Sequence, residues 1–499
     1  MLVKTRFAPS PTGFLHVGGL RTALFAYLLA KKNNGTFLLR IEDTDQARLM
    51  PGSMESMLNM LHWAGITIDE GVDVEQNKII QKGELGPYIQ SERLEIYQKY
   101  TAELIAKGHA YYCFCTKERL DEVRKFQELN KLPTGYDGHC RDIKSDEAKT
   151  RLKNNETSVI RLKMPREGVT MFTDLVRGQV EFKNSLIDDQ VLMKSDGFPT
   201  YHLAVVVDDH LMKISHIIRG EEWLSSTPKH VILYQMFGWE APHFVHLPLL
   251  VNCDKKKLSK RHDDVSVNDY KAKGYLPEAL INFIAFLGWN PGTEREIFTF
   301  KELEQEFSLE KVSKNPAVFN LEKLDWFNQQ YLRSLSREEL VARAKPFLTA
   351  QFPDYANCNP RVKNELDIWL GDLFALEQER ATTLVNLVTE LGFIFKTPNP
   401  KIVVEMIVWK KSTPEETKKI LQELVGLLTA ISEESWTATE IDPCLRAWLE
   451  SSGYGVGNVY WPMRVALSGQ KNSPGPTEIA MVLGKKNTIL RLSTAVENL

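Results

Sequence analysis

The segment Arg6-Phe-Ala-Pro-Ser-Pro-Thr-Gly-Phe-Leu-His-Val-Gly-Gly19 sets one histidine and two glycines where a proline-broken turn gives way to a helical pattern. A helix start offers backbone donors and the positive end of the dipole to an anion, glycines allow close approach, and His16 adds an imidazole donor. The run Lys255-Lys-Lys-Leu-Ser-Lys-Arg261 carries five cations in seven residues. It holds no glycine, so it reads as a lysine clamp on phosphate oxygens and not as a Walker-type cradle. Lys257 and Lys260 would then meet charge that builds in a transition state. Cys113-Phe-Cys115 and Cys140 offer three thiols of the kind that hold tetrahedral zinc, one ligand short. Taken singly, each has a plainer reading: a turn with a satisfied histidine, a solvated basic loop, and packed, reduced cysteines.

These residues need elements to position them. Residues 3–8 read as a strand, and Leu20, Ala23, Leu24, Tyr27 and Leu28 recur at helical spacing from Gly18 onward. Gly35 closes that helix, and residues 36–41 form a second strand ending in Glu42-Asp43. Strand, helix, strand is a βαβ unit, which implies a parallel sheet with ligands at the carboxyl ends of its strands. Residues 201–207, 216–219 and 243–250 read as further strands, with a helix starting near Thr227-Pro228. Residues 75–190 look like an insertion with its own cysteine cluster. After Leu276 the pattern turns helical, with Ala279, Leu280, Phe283, Ile284 and Leu287 on one face, and 330–499 is almost wholly helical. Helix starts are marked at Ser336-Arg-Glu-Glu339 and Ser412-Thr-Pro-Glu415.

Composition narrows the class. At 499 residues the chain is long enough for three or four domains of roughly 150 residues each. Hydrophobic residues at 43% and charged ones at 25% exclude a disordered or fibrous chain. A net charge of −3 advertises no global basic surface, which leaves any nucleic-acid contact to local patches. No apolar run approaches the ~20 residues of a membrane helix, and no apolar leader precedes the first strand, so a cytoplasmic location is expected. Six cysteines in so long a chain make no disulfide framework.

In this order, the first two segments resemble the paired "HIGH" and "KMSKS" signatures of class I aminoacyl-tRNA synthetases. Further stretches are similar to the bacterial-type glutamyl-tRNA synthetases. They are Arg40-Ile-Glu-Asp-Thr-Asp45, Ser195-Asp-Gly-Phe-Pro-Thr-Tyr-His-Leu-Ala204, Val207-Asp-Asp-His210, Ile218-Arg-Gly-Glu-Glu-Trp223 and Gly274-Tyr-Leu-Pro-Glu-Ala-Leu280. The tail from Trp461 to Lys485 resembles the family's anticodon-binding domain, so the likeness spans essentially the whole chain. It implies an α/β Rossmann-like catalytic domain with an inserted α+β domain, followed by all-α C-terminal domains. The expected division is a catalytic domain at 1–90 and 191–255, an inserted acceptor-binding domain at 91–190, a stem-contact domain with the lysine loop at 256–335, and a helical anticodon-binding domain at 336–499.

The resemblance further implies a monomeric ligase that activates glutamate with ATP and magnesium to glutamyl-adenylate, then transfers it to the terminal adenosine of tRNA(Glu). His16, Gly18, Gly19, Lys257 and Lys260 would hold ATP, with His16 and the two lysines catalytic. Arg6, Ala8, Ser10, Glu42, Tyr201 and Arg219 would hold glutamate, the arginines taking carboxylates and Glu42 the ammonium. Arg6 and Glu42, on adjacent strands, are equally suited to pairing with each other. Val205 stands where many bacterial relatives carry an amide. For zinc, relatives place a histidine two residues after the last cysteine; this chain has Asp142 there, with His139 and Tyr136 as other candidates for the fourth ligand. Arg380 falls in the region that reads the third anticodon base. Two other readings share these motifs: an enzyme that also charges tRNA(Gln), and an inactive tRNA-binding paralogue.

Overall fold

The structure is a computed structural model that describes residues 2–258, 265–358, 365–395 and 404–499. By chain contacts it divides into two compact units, one of residues 1–269 and 280–321, the other of 270–279 and 322–499.

The first unit is built on an eight-stranded sheet. Lys4–Phe7 lies at its centre, parallel to Thr36–Leu39 on one side and to His216–Gly220 on the other. Outward from these lie Glu70–Glu75 and His243–Leu247, also parallel, and then Val169–Asp174 beside the latter. Each edge is finished by an antiparallel hairpin partner, Lys78–Lys82 on one side and Gly178–Lys183 on the other. Strand order therefore reverses between Lys4–Phe7 and His216–Gly220. In parallel sheets such a switch opens a crevice at the carboxyl ends of the two strands. The Val169–Asp174 hairpin lies within the stretch expected as an insertion, yet it pairs with the main sheet. A separate three-stranded antiparallel sheet joins Ala110–Cys113 and Val159–Leu162, inside that stretch, to Val191–Met193 just beyond its expected end.

Helix Val17–Lys32 packs its apolar stripe against the sheet, with Leu20, Ala23, Leu24 and Leu28 fully buried. Its first turn carries no acidic residue and its last carries Lys31 and Lys32, so no side chain offsets the positive amino end. One expected strand is wrong in type. Residues 201–207 open a helix, Tyr201–Leu211, buried from Leu203 through Asp209. A run of β-branched residues buried on every side carries no period to separate helix from strand. This change decides the site, because it brings Asp208 and Asp209 under the sheet.

The second unit is helical as expected, around a core that includes Trp369, Leu373, Leu424, Met463 and Ile479. Its starts are chemically marked. Ser336 and Glu339 form a reciprocal capping box for Arg337–Gln351. Thr413 and Glu416 do the same for Pro414–Ala430, one residue later than the sequence pattern suggests.

Candidate active site

The crevice at the switch point holds a cavity of about 640 Å³ whose walls include Arg6, Ala8, Ser10, Gly18, Gly19, Glu42, Tyr201 and Arg219. Strand ends place the two arginines, and the turn after Phe7 places Ala8 and Ser10. Tyr201 opens its helix at the mouth, where Trp223 lies against its ring at a centroid distance of 4.3 Å.

Arg6 and Glu42 are not paired with each other. Arg6 forks onto Asp209, with Nε–Oδ1 at 3.1 Å and Nη2–Oδ2 at 3.3 Å. Glu42 accepts from Nη2 of the fully buried Arg40 at 3.1 Å, and the same Nη2 lies 2.8 Å from Asp209. Asp208 completes the buried layer, accepting from Arg93, Gln90 and Tyr97. Burial would raise the Asp209 carboxyl, but the Arg6 and Arg40 guanidiniums outweigh it and hold the group below its ordinary value. Glu42 fares differently. Burial pushes its carboxyl up to about 7, against the pull of Arg40 and Arg6, because it shares Arg40 with two stronger claimants.

Arg219 is as buried as Arg6 but keeps other company. Its Nε donates to His246 Nε2 at 3.0 Å, Nη2 to Thr227 Oγ1 at 2.8 Å, and Nη1 to the Tyr201 hydroxyl at 3.1 Å. His230 Nδ1 lies 3.3 Å from Nη1. Burial, reinforced by Arg219, keeps His230 neutral. Val205, one turn beyond Tyr201, is 2% exposed and is not among the residues lining the cavity.

At the start of helix Val17–Lys32, Gly18 N–H is not free for a ligand. It donates to His16 Nδ1 at 2.9 Å, so the imidazole caps the helix. With Nδ1 accepting, a neutral ring carries its proton on Nε2, where it serves as a donor. A Cβ on Gly18 would stand 3.2 Å from that ring nitrogen, tighter than ordinary packing.

Described residues before and after 259–264 lie beside this helix end. Lys257 bridges antiparallel to Val251, and Leu258 N–H donates to the Leu250 carbonyl at 3.2 Å. Val17 N–H donates to the Val265 carbonyl, and Val267 N–H to that of Leu15, each at 2.9 Å. Segments far apart in sequence are thus stitched together on both sides of His16. Lys257 is exposed; Lys260 lies outside the described residues.

The three cysteine thiols gather within 4.8 Å of one another. Cys115 and Cys140 sulfurs are 3.5 Å apart, and the Tyr136 hydroxyl lies 3.3 Å from Cys113 Sγ and 3.7 Å from Cys115 Sγ. Tetrahedral zinc with ~2.3 Å bonds spaces its sulfurs by about 3.8 Å, so the cluster fits the ion. Asp142 does not join it. Its neighbour Arg141 turns inward to Asp189, and the Asp142 side chain, 88% exposed, points away to Lys163 at 3.6 Å. His139 is exposed as well. Burial raises Cys115 to about 12, whereas Cys113 is held below its ordinary value because Tyr136, the Cys115 amide and Arg161 together outweigh burial.

Arg380 sits just past helix Leu366–Gln378, not on its polar face. Its Nε donates to Glu377 at 3.0 Å and its Nη2 pairs with the same carboxylate, so two of its nitrogens are engaged.

Sequence reasoning missed Asp174, His230 and His246, and had no role for Arg40 or Asp209. The last two stood inside quoted motifs; a charged residue in an apolar run was the available signal.

Comparison with known proteins matches the chain over nearly its whole length. Residues 2–326 match the family described as "tRNA synthetases class I (E and Q), catalytic domain", and 339–496 match "Anticodon binding domain". The glutamate–tRNA ligase of Alkaliphilus metalliredigens is 46% identical, covering 100% of this chain and 99% of that protein. That of Clostridioides difficile is 47% identical, covering 100% of both. Among solved structures, a glutamate tRNA ligase from Elizabethkingia meningosepticum, in complex with its amino acid, superposes with a TM-score of 0.87 at 37% identity, covering 100% of both chains.

Proposed function

Because this chain belongs to the glutamate–tRNA ligases of the class I synthetases, an ATP-dependent family, we propose that the cavity at the strand switch point is where glutamate and ATP meet. The family reaction has two steps. A glutamate carboxylate oxygen attacks the α-phosphorus of ATP, the bond to pyrophosphate breaks, and glutamyl-adenylate forms. A ribose hydroxyl of the terminal adenosine of tRNA(Glu) then attacks the activated carbonyl, and AMP leaves.

Neither step needs a covalent enzyme intermediate, so the chain contributes position and charge. The one observation that carries the reading is the pair of buried arginines at adjoining strand ends, differently compensated, in a cavity that also holds Glu42 and Tyr201. Arg6 is matched by Asp209, whereas the partners of Arg219 are neutral, which suits Arg219 to a carboxylate. Glu42 takes the ammonium. Ala8 and Ser10 line the turn over which the amino acid passes to the phosphates.

Gly18, Gly19 and the His16 ring form the phosphate end, where an uncompensated helix start favours anions. Lys257, anchored by its bridge to Val251, and Lys260 neutralise the departing pyrophosphate. Magnesium arrives on the triphosphate; among the described residues the only His, Cys, Asp or Glu cluster close enough for a metal is the cysteine one.

Zinc, when bound, would be held by Cys113, Cys115, Cys140 and the Tyr136 hydroxyl, and its role is to cross-link the strand end Ala110–Cys113 to the loop at 136–140. That cluster lies in the 91–190 segment assigned to the acceptor end of tRNA. Six free thiols among the cysteines suit a reducing, cytoplasmic setting, and no helix among the described residues is long and apolar enough to cross a membrane. Arg380 contributes to anticodon reading through Nη1, which lies outside its fork on Glu377.

No observation favours an enzyme that also charges tRNA(Gln), or an inactive paralogue. The experiment is aminoacylation of purified glutamate and glutamine tRNAs with glutamate and glutamine in competition. Glutamate on tRNA(Glu) alone is expected; charging with glutamine, or none at all, overturns the reading.

A further inference from the structure

A guanidinium buried among neutral acceptors needs something to hold its direction, and the structure supplies a relay. His246 lies on strand His243–Leu247, is fully buried, and accepts Arg219 Nε–H on its Nε2. Its proton must then reside on Nδ1, which stands 2.6 Å from Asp174 Oδ2. Asp174 ends the strand Val169–Asp174 at 1% exposure. All its acceptor capacity is in use: Oδ2 also takes His246 N–H at 3.0 Å, and Oδ1 takes the amides of Val176 at 2.9 Å and Arg177 at 2.7 Å. Burial would raise this carboxyl, but the His246 bond and these amides hold it ionised.

The chain Asp174–His246–Arg219 therefore runs from the strand next to the sheet's edge into the cavity wall. The carboxylate fixes the tautomer, and the tautomer presents a lone pair to Nε of the arginine. Because the imidazole intervenes, Asp174 steadies the guanidinium without forming an ion pair with it, and its cationic face stays available to a ligand. The contrast with Arg6, clamped directly by Asp209, is one of chemistry and not of burial.

We propose that Asp174, acting through His246, is a positioning residue that sets the Arg219 fork and thereby the strength with which the cavity takes a substrate carboxylate in preference to an amide. This rests on the assignment of Arg219 to glutamate given above. It also gives the Val169–Asp174 hairpin a purpose at the catalytic sheet.

The test uses the full-length protein with tRNA(Glu), measuring kcat and KM for glutamate and for ATP, together with inhibition by glutamine. H246F keeps a ring of similar size and removes the acceptor; H246Q keeps an acceptor and loses the ring. Loss of one hydrogen bond to a charged group predicts that H246F raises the glutamate KM by roughly tenfold or more. The same variant should change kcat by less than about threefold, leave the ATP KM unmoved, and make glutamine a stronger competitor relative to glutamate. H246Q should recover most of the glutamate KM. If H246F instead stays closer to the parent than H246Q, the residue only fills space and the proposal is overturned. Should H246F not fold, D174N carries the same test, and an unchanged glutamate KM in D174N overturns it. R219L separates the two levels. An unaffected glutamate KM in R219L defeats the assignment of Arg219 itself, whereas a large rise in R219L with none in D174N or H246F defeats only the relay.

Discussion

Arg6 and Asp209 form a two-point ion pair between the central strand and helix Tyr201–Leu211, with both side chains almost wholly removed from solvent. Through Arg40, which reaches Asp208, Asp209 and Glu42, this pair is joined to the acid that faces the cavity. The buried layer sets three arginines (Arg6, Arg40 and Arg93) against Asp208, Asp209 and the Glu42 carboxyl, which burial pushes up. Its worth lies in holding direction, since such pairs add little net stability over apolar packing.

Removing one member should nonetheless be severe. Asp209→Asn leaves Arg6 and Arg40 short of a counter-charge away from water, and a loss of about 3–5 kcal/mol is expected. Urea denaturation followed by tryptophan fluorescence measures it. A midpoint within error of the parent's would mean that water enters the layer and screens it.

In the proposed site, Glu42 would link glutamate binding to protons. Its carboxyl, raised by burial to about 7, is largely protonated in the empty protein below that pH, and an incoming ammonium favours the ionised form. Binding should therefore release a proton near pH 7, and glutamate affinity should fall as pH drops below 7. Calorimetry in two buffers of different ionisation enthalpy reads the proton directly. The sign for stability is opposite. A carboxyl raised in the folded state favours folding fully below its unfolded value and loses that advantage as pH rises through 7, so Glu42→Gln should flatten stability against pH in this window. A glutamate affinity independent of pH from 6 to 8 would remove Glu42 from the ammonium site.

The role proposed for the two lysines is to meet charge that appears late. Lys260→Ala should abolish charging while leaving tRNA affinity nearly intact, and Lys257→Ala should lower turnover by roughly 10²–10³. Steady-state charging and filter binding with labelled tRNA separate the two effects. Unchanged turnover in Lys260→Ala would strip that residue of its role.

Metal content checks the cysteine cluster. Purified protein should carry close to one zinc by atomic absorption, Tyr136→Phe should bind it more weakly, and Asp142→Ala should be indistinguishable from the parent. Removal by chelator should expose Cys115 and Cys140 to thiol reagents. Equal zinc retention in Tyr136→Phe would take the hydroxyl out of the ligand set.

Local signals in the sequence were dependable where backbone chemistry is local. The glycines and histidine of the first helix start, the capping residues at Ser336 and the βαβ rhythm of the first forty residues all read through directly, since each depends on neighbours a few positions away. The pattern failed at residues 201–207, where burial on every side erases periodicity. It also failed at Asp142, which shares a spacing with a metal ligand but not its direction, because Arg141 claims the inward side of that turn.

The amino-acid sequence by itself determined the family, the order of the catalytic signatures and the helical character of the last third, because residue type and spacing carry those directly. Only the tertiary structure decided which charge answers which. Asp209 and not Glu42 faces Arg6, and His246 brings Asp174 to bear on Arg219, because electrostatic partners are chosen by distance across strands and helices that lie far apart along the chain.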